Sequence, residues 1–423
     1  MDNFSTIKLL PSSLEGTITA PPSKSFSHRA IIAASLCKSK STISNIIYSD
    51  DVIATIEAMK HLGVKFIKEK QKLVVIPPKK HKYSKESIYA NESGSTLRFA
   101  IPLFSVYSDS VSFTGKESLL DRPIEVYEKI FKINRNSPND IMVNGFLEPN
   151  NYIIPGNVSS QFISGLLFSL PLLKSDSTIT LTTPLESSGY VDITIEVLKT
   201  YNIEIKEIQN GFFIRGNQQY ISTNYNIEGD FSNSAFFLVL GLLQNNIETL
   251  NLSNDSVQGD RNIIDVLKQF KARIVHLENG YMTSFQETYG AVVDISQIPD
   301  LAPPIALLGS LSKGKTIITN ITRLKTKESD RVNSIITTLT KLGANIFEKD
   351  GEIHIYGKNF LNGGVVDSFN DHRIVMMATI ASIRSKRSIT ITNANAVRKS
   401  FPAFFNVLKT IGLKFDMMEW FDE

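Results

Sequence analysis

The feature that most limits how this chain can fold is a repeat of roughly 70 residues, six copies of which account for its length. Each copy closes on a similar phrase: MKHLGVKF from residue 59, KIFKINRN from 129, VLKTYNIEI from 197, VLKQFKARIV from 266, TTLTKLGANIF from 337 and VLKTIGLKF from 407. Before each phrase stand an apolar stretch of helical length, a short break and a β-rich run: STISNI, SVSFTG, STITLT, ETLNLS, KTIITN and SITITN. Thr/Ile alternation marks the short runs as strands, whereas the spacing of Val52, Ile56 and Met59 gives the later segment a helical apolar face. The unit reads helix, strand, helix, strand, that is, two helices on a small mixed sheet of the α/β (α+β) class. Six strongly diverged units of this length suit two compact domains of three repeats better than a solenoid. Pro21-Pro22 and Glu228-Gly229 lie where one half of the frame gives way to the other, and both read as hinge crossovers. The expected domains are residues 22–228 and a discontinuous partner of 1–21 plus 229–423. The return of the first strand to the C-terminal half goes beyond what periodicity settles.

Composition narrows the class of function. The chain has 423 residues with 42% hydrophobic content, enough for more than one core, and its 45 basic residues nearly balance 42 acidic ones. With a net charge of only +3, no global field points to nucleic acid or a membrane surface, so any positive site must be local. The opening MDNFSTIKLLPSSLEG lacks a signal-peptide pattern and no apolar run has the length of a membrane span, so a cytoplasmic protein is expected; a monomer is expected besides. The single cysteine, Cys37, has no disulfide partner and reads as core packing.

The reactive-looking residues fall in phase with the repeat. One set stands at the start of the first helix of each unit: Lys24-Ser25, Gly94-Ser95, Ser159-Ser160-Gln161, Asp230, Asp300 and Asp371-His372-Arg373. A second set is expected at the start of the second helix: Asp50-Asp51, Asp121-Arg122, Ser187 to Tyr190, Asp260-Arg261, Lys327-Glu328 and Arg398-Lys399. Ser and Asp at such places serve as N-caps. Capping does not account for Lys24, Arg98, Arg122, Lys327, Arg373 and Lys399, because a cation at a helix N-terminus opposes the macrodipole. An anion between helix end and cation reconciles the two, so the site is expected to take a multiply anionic small molecule. Asp300 and Glu328, set among these cations, are candidates for base and acid, with a surface ion pair as the plainer alternative for each.

Other signals are set aside. GSLSKGKT from Gly309 to Thr316 fits the P-loop spacing, but an apolar helical stretch precedes it and a strand follows, the reverse of what a P-loop needs. The six histidines form no metal-binding spacing, so no metal is expected. No GxGxxG and no basic-aromatic stripe is present.

In order along the chain, PSKSFSHR, SGSTLR, SLLDRP, SSQF, the run from Ser187 through GYVDIT, EGDFSNSA, IPDLAP, TKESDR, NDHR and KSFP resemble the motifs of the 5-enolpyruvylshikimate-3-phosphate synthases. The resemblance covers nearly the whole chain. It implies a two-domain inside-out α/β barrel with three βαββαβ-type repeats per domain and an active site in the interdomain cleft. The substrates implied are shikimate 3-phosphate and phosphoenolpyruvate, joined by addition and elimination with no metal or organic cofactor. By the same resemblance, Lys24, Ser25, Arg29, Ser159, Ser160, Gln161, Ser187, Tyr190, Asp300 and Lys327 hold shikimate 3-phosphate. Lys24, Gly94, Arg122, Gln161, Arg331, Arg373 and Lys399 hold phosphoenolpyruvate, with Arg98 in support. Asp300 and Lys327 take the hydroxyl proton, and Glu328 serves the methylene carbon. Glu92, Ser95, Lys116-Glu117 and Lys325 depart from the commonest pattern beside the principal residues. The related transferase acting on UDP-N-acetylglucosamine is disfavoured, since Lys24 is followed by Ser25 and Cys37 ends an apolar helix. A noncatalytic anion-binding repeat protein has no need of Asp300, Lys327 and Glu328 together.

Overall fold

Alternating Thr and Ile make strands because successive side chains point to opposite faces. In a computed structural model, which describes residues 5–418, Ser41–Ser44, Ile247–Leu250 and Ile389–Thr392 each bury every second residue. The strands form six four-stranded mixed sheets with a common plan. In one, Asn151–Ile154 runs parallel to Ser177–Leu181; Gly211–Ile214 pairs antiparallel with the latter, and Ile205–Ile208 with Gly211–Ile214. Parallel neighbours need a crossover, and the helix Ser160–Ser169 supplies it. The second helix, Ser188–Thr200, then leads into the hairpin.

The order within such a repeat is therefore β-α-β-α-β-β, which corrects the expected βαββαβ. In it the closing phrase starts at the end of the second helix and finishes in a strand, which forms a tight hairpin with the next strand and no helix between them. Its turn was legible at Asn210-Gly211, Asn279-Gly280 and Asp350-Gly351. At the last of these both residues have positive φ, 54° and 75°, and Lys349 pairs with Glu352. A two-residue turn of that kind matches the twist of its strands. Another repeated turn follows the central strand: Asn45, Asn251, Asn320 and Asn393 all adopt the left-handed conformation that Asn tolerates.

The chain divides into two units, Met1–Pro21 with Gly229–Glu423 and Pro22–Glu228. In the contiguous unit, Tyr225–Asn226 pairs in parallel with Ser41–Ser44, so its last strand completes the sheet of its first repeat. In the discontinuous unit, Gly16–Thr19 lies parallel to Ile247–Leu250, and Thr6–Leu9 is inserted between Ile389–Thr392 and Phe415–Met418, antiparallel to both. At the crossovers the Ser23 N–H donates to the Glu228 carbonyl and the Asp230 N–H to that of Pro21, each at 2.8 Å. Gly229 is required there, because a Cβ would stand 1.8 Å from the Asn251 carbonyl oxygen.

Helix burial follows apolar pattern. Every residue of Phe231–Leu243 is buried, as expected for a helix apolar all round, and it packs on Ala302–Leu311 and His372–Ala381. Arg331–Lys341 instead buries one stripe, Val332, Ile335 and Leu339 among it. Gly309 lies inside the helix Ala302–Leu311 and the strand Lys315–Thr319 follows, so GSLSKGKT is no P-loop. Cys37 is fully buried, its thiol donating to the Ala33 carbonyl, and burial pushes its pKa up to about 12.

Candidate active site

In the contiguous unit, the caps of two helices fall just before the motif residues. Ser23 caps Lys24–Ser35 and Ser93 caps Gly94–Phe104, which leaves Lys24, Ser25, Gly94 and Ser95 in first turns whose N–H groups face outward along the axis. Ser159 itself caps Ser160–Ser169 by accepting from the Gln161 N–H. Ser187, 1% exposed, precedes Ser188–Thr200 in the left-handed conformation, φ 55°, the kind of strain that persists where neighbours enforce it.

The cations here meet mostly neutral acceptors. Lys24 pairs with Asp51 at 2.9 Å. Arg98 donates to the Gln161 Oε1 at 2.7 Å and the Pro123 carbonyl at 2.9 Å, and lies over the Phe162 ring. Gln161 in turn donates to the Ser95 hydroxyl at 3.0 Å. These groups surround Gly94: a Cβ there would be 3.3 Å from the Arg122 Nη1, 3.4 Å from the Gln161 Oε1 and 3.5 Å from the Arg98 Nη1. Glycine thus keeps open a space edged by two guanidinium groups. The Arg122 Nε is buried and meets no acceptor among the described residues.

Arg29 is placed differently. Its guanidinium is 2% exposed and donates to Thr194 at 2.7 Å, to the Ser25 and Tyr190 carbonyls at 2.9 Å, and to Ser164 at 3.5 Å. Burial pushes its pKa down to about 9, which still leaves it charged at neutral pH. In this state it fixes the backbone that presents Ser25 and Tyr190.

In the discontinuous unit the cations meet carboxylates. Arg331, fully buried, donates to Asp371 at 2.8 Å, to Asp300 at 2.7 Å and to Glu328 at 2.5 Å. Burial opposes its charge, but Asp371, Glu328 and Asp300 together raise its pKa well above the ordinary value. Arg373 reaches the second oxygen of Asp300 at 3.1 Å, and the Lys327 ammonium lies 3.4 Å from the first. Burial lowers the Lys327 pKa, with Asp300 opposing, and the Arg323 and Arg331 charges add to the fall. Lys399 donates to the Asn370 carbonyl at 2.6 Å, which a left-handed pair, Phe369 and Asn370, turns toward it. Asp371 also caps His372–Ala381 through the Arg373 N–H, so capping and charge pairing are two jobs of one side chain.

Several second-helix expectations are corrected. Lys327 and Glu328 lie in the loop between Thr322–Thr326 and a helix that begins at Arg331 under an Asp330 cap. Arg122 lies between two short helices, because Pro123 disfavours helical backbone at the residue before it. Asp260-Arg261 and Arg398-Lys399 occupy 3-10 turns. Sequence reasoning missed three partners: Asp51, Asp371 as a counter-ion, and Asp260. The last is 3% exposed, accepts from the Ser232 hydroxyl, and has its pKa raised to about 6 by burial and Asp300, with Arg373 opposing. Departures Glu92 and Lys116 answer each other in an ion pair of 2.8 Å, and Lys325 pairs at the surface with Glu348. Among the described residues no three His, Cys, Asp or Glu side chains are grouped as a metal ion needs, and no helix is long and apolar enough to cross a membrane.

Comparison with known proteins agrees with the motifs. The family model of EPSP synthase (3-phosphoshikimate 1-carboxyvinyltransferase) matches residues 10–408. The 3-phosphoshikimate 1-carboxyvinyltransferase of Clostridium novyi (strain NT) is 44% identical, covering 98% of both chains. That of Clostridium perfringens (strain 13 / Type A) is also 44% identical, over 96% of this chain and 97% of its own. An EPSP synthase structure from Acinetobacter baumannii superposes with a TM-score of 0.82 at 22% identity, covering 98% of this chain and all of the other, which speaks for the fold. With the family model spanning nearly all of the chain and relatives this similar along their full length, the chain belongs to the EPSP synthase family.

Proposed function

We propose that the chain transfers the enolpyruvyl group of phosphoenolpyruvate to the 5-hydroxyl of shikimate 3-phosphate, releasing phosphate, as a step of aromatic amino-acid biosynthesis. The observation that carries the reading is the convergence of Arg331 and Arg373 on Asp300 beside Lys327 and Glu328. A reaction between two polyanions needs cations to gather the charge and groups that both accept and give a proton. The arrangement implied by the resemblance, a two-domain inside-out α/β barrel whose halves share both substrates, is part of this reading, as are a cytoplasmic location and a monomer.

The roles follow from the groups. Lys24, Ser25, Ser159, Ser160, Gln161, Ser187 and Tyr190 hold shikimate 3-phosphate, with Arg29 bracing Ser25 and Tyr190. Gly94, Arg122, Gln161, Arg331, Arg373, Lys24 and Lys399 hold phosphoenolpyruvate. Asp300, with Lys327 beside it, accepts the proton of the 5-hydroxyl as its oxygen bonds to C2. Glu328 delivers a proton to C3, completing the addition. Loss of a C3 proton and departure of phosphate from the tetrahedral intermediate then regenerate the enol ether. A lowered ammonium pKa suits Lys327 to sharing the hydroxyl proton.

The test is phosphate release by the purified protein given both substrates, with UDP-N-acetylglucosamine as the alternative acceptor. Release that requires shikimate 3-phosphate is expected, with kcat lower by about 10²–10⁴-fold in Glu328→Gln. Release only with the UDP-sugar, or an unimpaired variant, overturns the reading or the role of Glu328 respectively.

A further inference from the structure

Four buried polar side chains that the mechanism does not use run in one line through the contiguous unit. The His28 Nδ1 lies 2.6 Å from the Thr55 hydroxyl, which lies 2.6 Å from that of Thr96, and Thr96 donates to the Ser93 hydroxyl at 2.8 Å. All four are at most 2% exposed. The direction of the line follows from proton counting. The one hydroxyl proton of Thr96 goes to Ser93, so Thr96 accepts from Thr55; the proton of Thr55 is then spent, and the His28 Nδ1 must be the donor. Burial, with Lys24 and Arg29 nearby, lowers the imidazole pKa well below its ordinary value, so the ring is neutral. Its buried Nε2 meets no partner among the described residues. An unmet nitrogen in a dry core is a standing cost, which leaves the Nδ1 end as the one that contributes.

The line joins three helices at a place that matters. His28 is one turn beyond Lys24, and Thr55 one turn beyond Asp51, so the Lys24–Asp51 ion pair and the His28–Thr55 bond are successive rungs between the same two helices. The far end is Ser93, the cap immediately before Gly94, which accepts from both the Thr96 N–H and the Thr96 hydroxyl. We propose that His28, Thr55 and Thr96 form a positioning relay that fixes the first turn of Gly94–Phe104 against the helix carrying Lys24, and thereby sets the phosphoenolpyruvate side of the site. The proposal rests on the assignment of Gly94 and Lys24 given above.

Steady-state kinetics for each substrate, with thermal unfolding in parallel, decide it. Thr96→Val keeps the shape and removes the hydroxyl. The hydroxyl's two hydrogen bonds are lost, and the KM for phosphoenolpyruvate should rise about threefold to tenfold, while kcat and the KM for shikimate 3-phosphate change by less than about twofold. His28→Ala should do the same, and His28→Asn, whose amide restores an N–H toward Thr55, should recover most of the loss. A lower melting temperature with an unchanged KM for phosphoenolpyruvate, or an equal rise in both KM values, overturns the relay. If Thr96→Val does not fold, the contrast between His28→Ala and His28→Asn carries the decision. Turnover by the unaltered protein is read first: its absence sinks the functional reading and the relay together, whereas turnover with unchanged KM values in the variants sinks the relay alone.

Discussion

The two units satisfy their buried cations in opposite ways. In the contiguous unit, Arg29 and Arg98 are held by hydroxyls, carbonyls and an amide, and Lys24 pairs with an acid, Asp51. In the discontinuous unit, Arg331 alone engages Asp300, Asp371 and Glu328, and Arg373 shares Asp300. Neutral acceptors leave positive charge available to an incoming anion, whereas carboxylates cancel it but can trade protons. The first arrangement suits holding phosphate and carboxylate groups; the second suits the steps in which a proton moves.

That contrast can be broken most forcefully at Arg331. Arg331→Met strands the buried Asp371 and takes one cation from Asp300 and Glu328, and unfolding by denaturant should show a loss of about 3–5 kcal/mol, with partial recovery when Asp371→Asn is added. Asp260 sharpens it through pH. Because its folded pKa, about 6, is raised above that of a free carboxyl, the folded state binds the proton more tightly, and this group's effect is to make stability fall as pH rises from about 4 through 6. Asp260→Asn should remove that dependence, so that the variant gains about 2 kcal/mol relative to the unaltered protein between pH 4 and pH 7 in denaturant titrations. Arg98→Met tests the neutral side: with the bonds to the Gln161 amide and the Pro123 carbonyl lost, about 1–2 kcal/mol is expected. A loss as large as that of Arg331→Met would erase the distinction between the units. The smallest effect belongs to the Glu92–Lys116 pair, whose lysine is 55% exposed. A double-mutant cycle with Glu92→Gln and Lys116→Met should give a coupling of about 0.5–1 kcal/mol that shrinks in high salt.

Much of this was legible in the chain because repetition multiplies weak signals. One Ser or Asp before an apolar stretch says little, but the same feature in six phases located helix starts at Lys24, Gly94, Ser160, Phe231, Ala302 and His372 within a residue or two. The second helices were less legible because Pro123 and the 3-10 turns around Asp260 and Arg398 interrupt them. The strand order implied by the resemblance differs from the one found although Asn-Gly and Asp-Gly turns stand in the chain, and a two-residue turn joins antiparallel strands with no helix between them. Least legible were the partners of the cations. Asp371 and Arg331 are 40 residues apart, and Asp371 looks like a cap because it is one. The pairing of Glu92 with Lys116 joins two departures from the family pattern that, read along the chain, are unrelated.

The inserted strand Thr6–Leu9 sets a timetable for biogenesis. Its two neighbours, Ile389–Thr392 and Phe415–Met418, leave the ribosome only after the whole of Pro22–Glu228 and most of the second unit. At ordinary rates of synthesis that is a delay of roughly tens of seconds. The contiguous unit can therefore complete its sheets while translation continues, whereas Thr6–Leu9 waits for its second neighbour until Phe415–Met418 is made. The sheet that holds Thr6–Leu9 is completed only when Phe415–Met418 has been made, so a nascent chain is exposed to misassociation through this strand throughout the synthesis of the residues between them.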